Sequence, residues 1–414
     1  MIAFERFELE NGLRVIVHQD TSTPFATLNL LYDIGSRDED PEHTGFAHLF
    51  EHLMFGGSVN VPSYDMPVQM AGGSNNAFTS SDITNYYINL PAVNIETAFW
   101  VESDRMLSLA FTPKSLEVQR NVVVEEFRQR YLNQPYGDMI LNLLPLVYKV
   151  HPYRWSPIGR EVAHIENATL DQVKDFFFKH YAPNNAILTI TGNVDPSEML
   201  LLATKWFGPI PRREVPRREL PQEPEQTQAR VLHLERDVPV DAFYRAYPTC
   251  AKSHPDFYAL DLLSDVLSQG DSSRLYQALV QEQRVFSSLG AGLFDNRDPG
   301  LLLASGKLAP GVSFEQAEAA LEAELDKVRH ELVSERELQK IKNAVEANRT
   351  FSEMSILHKA ISLAKHELSG GAERINEVVE RYLAVSREDI LRVAQRYLRP
   401  ERANTLYYHS QPKA

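Results

Sequence analysis

His48-Leu49-Phe50-Glu51-His52 decides how the rest of the chain is read. The two histidines stand four residues apart, so on a helix they share one face, one turn above the other. Glu51, three residues after His48, falls near that face. Two imidazoles and a carboxylate at this spacing can hold a divalent metal and keep a base beside it. H-x-x-E-H is the inverted form of the H-E-x-x-H zinc protease motif. From Gly45 to Phe55 the apolar residues Phe46, Leu49, Phe50, Leu53 and Met54 recur at helical spacing, and Gly56-Gly57 closes the helix.

Catalytic zinc takes three protein ligands and leaves a place for water, so a third ligand comes from elsewhere in the chain. The best source is Gln119-Arg120-Asn121-Val122-Val123-Val124-Glu125-Glu126-Phe127. There, carboxylates lie beside an apolar helix face, where an unpaired charge is costly and a metal would offset the cost. Glu126 and Glu125 both qualify by periodicity. Two histidines and a glutamate suit Zn2+ best among the divalent ions.

Outward from the motif, Leu13 to His18 and Ala26 to Tyr32 read as two strands of a β-hairpin or meander. Asn75 to Leu90 reads as one or two more. Helices are expected over 93–108, 113–133, 137–149 and 168–180, followed by a buried strand, Ala186 to Thr191. Between Gly208 and Arg230 prolines gather among Arg, Glu and Gln, which reads as a stiff, solvated linker. The same reading takes its basic run, Arg212-Arg213 and Arg217-Arg218, as a solvated connector. Strands near 231–234, 242–246, 286–294 and 300–308 follow, then charged helices, and strand Ala403 to Tyr408 closes the chain. The expected fold class is α+β with two similar domains: 1–208 with the motif, a linker 209–230, and 231–414.

A net charge of −14 speaks against a nucleic-acid binder, which rests on basic patches. No apolar run approaches the roughly 20 residues that span a bilayer. The single cysteine, Cys250, excludes an internal disulfide and a Cys-based zinc site. Met1 to Arg6 has no basic region followed by an apolar one, so a cytoplasmic location is expected, or a periplasmic one if a leader has been trimmed. There is no G-x-x-x-x-G-K-[ST] for a nucleotide and no G-x-S-x-G for a serine hydrolase.

On these residues the chain resembles the inverted-zincin metallopeptidases of family M16, which include pitrilysin, insulin-degrading enzyme and the processing peptidases. The likeness covers most of the chain and is strongest from Asn11 to about Asp195. In that family two histidines and a distant glutamate bind zinc, and the motif glutamate is the general base. Carried over, the zinc ligands are His48, His52 and Glu126, and the base is Glu51. The distant glutamate lies in E-R-x-V-(x)3-E, which Gln119 to Glu126 matches, selecting Glu126 over Glu125. Gln119 departs from the glutamate often found there, and any supporting role of that carboxylate goes with it. Gly72-Gly73-Ser74-Asn75-Asn76-Ala77-Phe78-Thr79 matches the strand on which the family lays its substrate. This implies that Asn76, Ala77 and Phe78 bind an extended peptide by β-augmentation.

The resemblance thus implies a zinc endopeptidase acting on peptides or unfolded segments, with Glu51 as general base toward a water on the zinc. Its fold would be two homologous domains, each a mostly antiparallel sheet packed with helices, forming half of a clamshell. Family members that close as clamshells carry an Arg and a Tyr, seven residues apart, after an S-R-L segment. Ser273-Arg274-Leu275 is present, but the aligned positions hold Val280 and Ser287, and Arg284 is out of register. The implied partner is a second subunit that supplies the pair, in a heterodimer; a homodimer is the other arrangement. The alternative function is a non-catalytic scaffold subunit of the same fold, which the intact motif disfavours. A zinc hydrolase of non-peptide substrates is disfavoured by the Asn-Ala strand.

Overall fold

The computed structural model describes residues 1–216 and 218–411, so Arg217 and the last three residues of the second expected domain lie outside it. Among the described residues the strands form two sheets. The first holds β1 (Glu5–Glu8), β2 (Arg14–Gln19), β3 (Phe25–Tyr32), β4 (Ser74–Thr79), β5 (Thr84–Pro91) and β6 (Ala186–Gly192) in the order β1-β2-β6-β3-β5-β4. The second holds β7 (Arg230–Arg236), β8 (Ala242–Pro248), β9 (Phe286–Leu293), β10 (Leu301–Leu308) and β11 (Asn404–Ser410) in the order β7-β11-β8-β10-β9. Leaving β1 aside, both sheets run first, last, second, fourth, third along the sequence. In each, the first and last strands pair in parallel and the remaining neighbours are antiparallel. Two domains with one strand plan are what an internal duplication leaves behind.

The expected hairpin of Leu13–His18 with Ala26–Tyr32 is replaced by a different pairing. β6 inserts between β2 and β3, pairing with both. All seven of its residues are buried, so it can only be a central strand. The Asn11-Gly12 turn instead joins β1 to β2, with Gly12 at φ 85°.

The chain divides into two compact units, and not in one cut. The first comprises Met1–Gln129, Trp155–Pro221 and Thr350–Glu377. The second comprises Arg130–Arg154, Gln222–Arg349 and the chain from Val378 onward. A sheet buried on both faces needs helices on both. In the first unit the helix Ile356–Leu368 supplies one layer: Leu363 and Ala364 pack with Ile16, Leu31 and Ile187. The helices Phe46–Leu53 and Ile95–Leu107 lie against the sheet's β4, β5 and β3. In the second unit the helix Met139–Val147 plays the matching part, with Leu143, Leu144 and Val147 against Ala242, Tyr244, Leu303 and Leu406. The alternate residues Phe243, Leu302 and Tyr407 join the helices of the other core. Each half of the sequence therefore lends one helix to the unit built by the other half.

The proline-rich segment is anchored, which corrects its reading as a solvated connector. In the first unit Arg213 is half-buried, donates to the carbonyls of Tyr181 (2.8 Å) and Met106 (3.3 Å), and lies 4.9 Å from the Phe177 ring centroid. Arg218 pairs with Asp33 and Asp38, both at 2.8 Å. In the second unit the Glu223 carboxylate accepts the backbone N–H groups of Lys149, Val150 and His151 at 2.7–2.9 Å. Guanidinium donors and a carboxylate find main-chain partners here, which composition alone does not reveal.

Candidate metal centre and substrate edge

The motif forms the helix Phe46–Leu53, and the expected third ligand sits on the helix Pro113–Phe127, started by a Thr112/Ser115 capping box. Phe46, Ala47, Leu49, Phe50 and Leu53 are buried, which turns the opposite face of the motif helix, with both histidines, toward the second helix. His48 Nε2 lies 3.7 Å and His52 Nε2 3.4 Å from Oε2 of Glu126. The ligand atoms of these three residues all lie within 4.8 Å of one another, and among the described residues no other His, Cys, Asp or Glu group of three meets that condition. The three side chains keep 13–25 % of their surface exposed, so the cluster opens to solvent.

The donor set fits a metal ion. Ligands around a tetrahedral zinc at ~2.0–2.1 Å stand about 3.3–3.4 Å apart, close to the spacings of Glu126 from the two imidazoles. Glu125 is exposed and accepts a hydrogen bond from Gln129 at 3.0 Å, away from the cluster. Gln119 is half-buried two turns before Glu126 on the same helix. Glu51 stands between the two histidines on the motif helix, and its Oε2 accepts the Thr79 hydroxyl at 2.5 Å.

Two buried charged residues that sequence reading passed over fix the motif helix at its ends. Gly45 precedes the helix with φ 90°, and a Cβ there would meet Ile165 Cδ1 at 2.7 Å and the Ile158 carbonyl at 2.8 Å. Beside it, Glu39 accepts the N–H of Gly45 (2.9 Å), the N–H of Ala47 (2.8 Å) and the Trp155 indole N–H (3.1 Å). The Gly45 and Ala47 bonds satisfy donors that a helix start leaves without partners. Complete burial pushes the Glu39 carboxyl up to about 8, against the pull of the three N–H donors. At the other end Arg105 Nη1 reaches the Met54 carbonyl at 3.4 Å. Arg105 is fully buried, bidentate to Glu102 at 2.8 and 2.6 Å, and lies 4.2 Å from the Tyr86 ring centroid and 4.4 Å from that of Tyr64. Arg105 stands in a stretch read as a helix and Glu39 in the charged run Arg37 to Glu42, so neither position announced its burial.

Asn76, Ala77 and Phe78 lie on β4, the last strand of its sheet. The Ala77 N–H donates to Oδ1 of Asn76 at 2.8 Å, which places that N–H on the side of β4 away from β5. Alternation puts Asn75, Ala77 and Thr79 on one face of the strand, the face of Glu51, and Asn76 and Phe78 on the other. Phe78 packs with the cluster under the helix Ile356–Leu368, with Lys365 Nζ 5.5 Å from its ring centroid. Its side chain is thus engaged in packing, and its main-chain N–H and C=O, alternating with those of Ala77, face β5.

In the second unit, Val280 is packed against the core within a π-helical stretch, Tyr276–Glu282. The Ser287 hydroxyl donates to the Lys307 carbonyl at 3.2 Å. Arg284 is exposed in a left-handed conformation, φ 54°.

Residues 14–145, which include His48, His52 and Glu126, match the model of the insulinase family, peptidase family M16. Residues 167–345 match the model described as the peptidase M16 inactive domain. The chain is 30% identical over 411 residues to zinc protease PqqE of Helicobacter pylori, covering 97% of this chain and 92% of that one. A crystal structure of a protease from Helicobacter pylori superposes with a TM-score of 0.92 at 29% identity, covering 100% of both chains. The mitochondrial-processing peptidase subunit beta of Saccharomyces cerevisiae is 28% identical over 212 residues, 50% of this chain and 45% of that one. Motif, strand plan and full-length likeness point the same way, and the chain belongs to the M16 family of metallopeptidases.

Proposed function

We propose that the chain is a zinc-dependent endopeptidase that cleaves extended peptides or unfolded segments, with Glu51 as its general base. The observation that carries this reading is the convergence of His48, His52 and Glu126 within 4.8 Å, with Glu51 on the same helix. A zinc ion held by those three would supply Lewis acidity, acidifying water and offsetting negative charge that develops on a scissile carbonyl. Glu51 takes a proton from the attacking water and returns it to the leaving amine, a role for which a carboxylate beside the ligands is placed. His48 and His52 would hold the zinc ion as neutral imidazoles, and the Glu126 carboxylate would offset part of its charge.

The open edge of β4 supports an extended substrate. A peptide there gains main-chain hydrogen bonds whatever its sequence, the first to the Ala77 N–H once Asn76 Oδ1 gives way. Val280 and Ser287 offer neither a cation nor a phenol, which supports a partner subunit that completes the enclosure. That one relative is named as a subunit agrees with this reading.

The test is turnover of unstructured peptides by the chain alone and with candidate M16 partner subunits, beside Glu51→Gln. Removing a general base lowers the rate by about 10²–10⁴-fold. A Glu51→Gln protein as active as the parent would remove Glu51 from the role. Peptides left intact under every pairing would favour the scaffold reading.

A further inference from the structure

We infer that Thr79 is a positioning residue for Glu51, so that the strand offered to the substrate also aims the base; this rests on the reading of Glu51 given above. The Thr79 hydroxyl donates to Glu51 Oε2 at 2.5 Å, a length typical of an O–H···O bond to a charged acceptor. Glu51 sits on a helix surface that is half-exposed, where a glutamate side chain has several rotamers available. A strong donor on one oxygen favours the rotamers that keep that bond.

The donor is held on the sheet. Thr79 is the last residue of β4 and pairs with Thr84 of β5. Thr84 is fully buried, and its own hydroxyl donates to the Ile34 carbonyl at 3.0 Å. Thr79 is β-branched, so its χ1 is stiff and its hydroxyl direction follows the backbone. A donor on a rigid element places its partner more closely than a donor on a loop. Ala77, whose N–H lies on the open side of the strand, stands two residues before Thr79 on the same strand face. Peptide docking and base orientation therefore share one short segment, and a peptide that stiffens β4 stiffens the base as well.

The experiment compares Thr79→Val, which keeps shape and loses the donor, with Thr79→Ser, which keeps the donor. Crystal structures of the metal-free variants show where the Glu51 carboxylate lies, independently of turnover. The Thr79→Val protein is expected to hold Glu51 in a different or a mixed rotamer, and Thr79→Ser to keep the parent position. With peptide and any required partner, kcat should fall about 10- to 100-fold in Thr79→Val with KM little changed, and recover in Thr79→Ser. An unmoved Glu51 in Thr79→Val, or kcat within about twofold of the parent, overturns the inference. Glu51→Gln serves as the control: if it keeps full activity, the base assignment itself fails, and the inference with it.

Discussion

Three N–H groups converge on Glu39, and two of them belong to the start of the helix that carries His48, Glu51 and His52. Glu39→Ala leaves those buried donors without an acceptor, at about 1–3 kcal/mol. The expected outcome is a lower melting temperature and weaker zinc binding, because the start of the helix that carries His48 and His52 loosens. Isothermal titration with zinc and thermal melts check it, and Glu39→Gln, which keeps an acceptor oxygen, should lie between parent and Ala. At the Glu126 position, Glu126→Gln should keep the fold and lose zinc affinity, whereas Glu125→Gln should change neither. His48, Glu51 and His52 could be picked as candidates from spacing alone, since one helical turn separates the two histidines. Periodicity could not choose between Glu126 and Glu125, which border the same apolar stripe; the family pattern over Gln119 to Glu126 made that choice, and the packed helix turns Glu126 toward the two histidines. Glu39 and Arg105 were invisible for a simpler reason: a charged residue in sequence does not say that it will be buried against a helix end.

Among elements, the helix Ile356–Leu368 makes the sharpest demand on the fold. It comes from the second half of the sequence and covers the first sheet. Leu363→Ala deletes fully buried methyl groups there and should destabilise the first unit by about 2–5 kcal/mol, measurable by denaturant unfolding. The same helix is tied to the end of β2 through Lys359 Nζ and Asp20 Oδ2, 2.6 Å apart. The Lys359 hydrogen bond, then the Ser22 hydroxyl, hold the Asp20 carboxyl well below its ordinary 3.8. A depressed carboxylate contributes stability that is present above its ordinary pKa and is lost as pH falls through its folded value. Lys359→Met should therefore cost about 1 kcal/mol at neutral pH after solvent screening, and less as pH drops below about 4. Unfolding curves of parent and variant at pH 7 and near pH 3 decide it: a difference that grows on acidification would contradict the assignment. At β4, Ala77→Pro removes the outward N–H and should raise KM for peptides more than it lowers kcat.

For the whole molecule, the duplicated plan was readable as a repeated grammar of strands and helices, and the two sheets carry it with one strand order. The pairing of β6 between β2 and β3 and the exchange of helices were not readable. Periodicity reports that a strand or helix has an apolar face and is silent on which distant partner covers it. The linker shows the same limit, since Arg213, Arg218 and Glu223 find carbonyls, carboxylates and N–H groups that no local pattern announces. What the molecule is built to do turns on whether one metal ion occupies the cluster of His48, His52 and Glu126. The direct measurement is zinc content of the purified chain after equilibration with zinc and removal of the excess, beside Glu51→Gln and Glu126→Ala. About one zinc per chain is expected in the parent and in Glu51→Gln, and a small fraction of that in Glu126→Ala. A parent chain that holds no zinc, or a Glu126→Ala chain that holds as much as the parent, would contradict the zinc assignment.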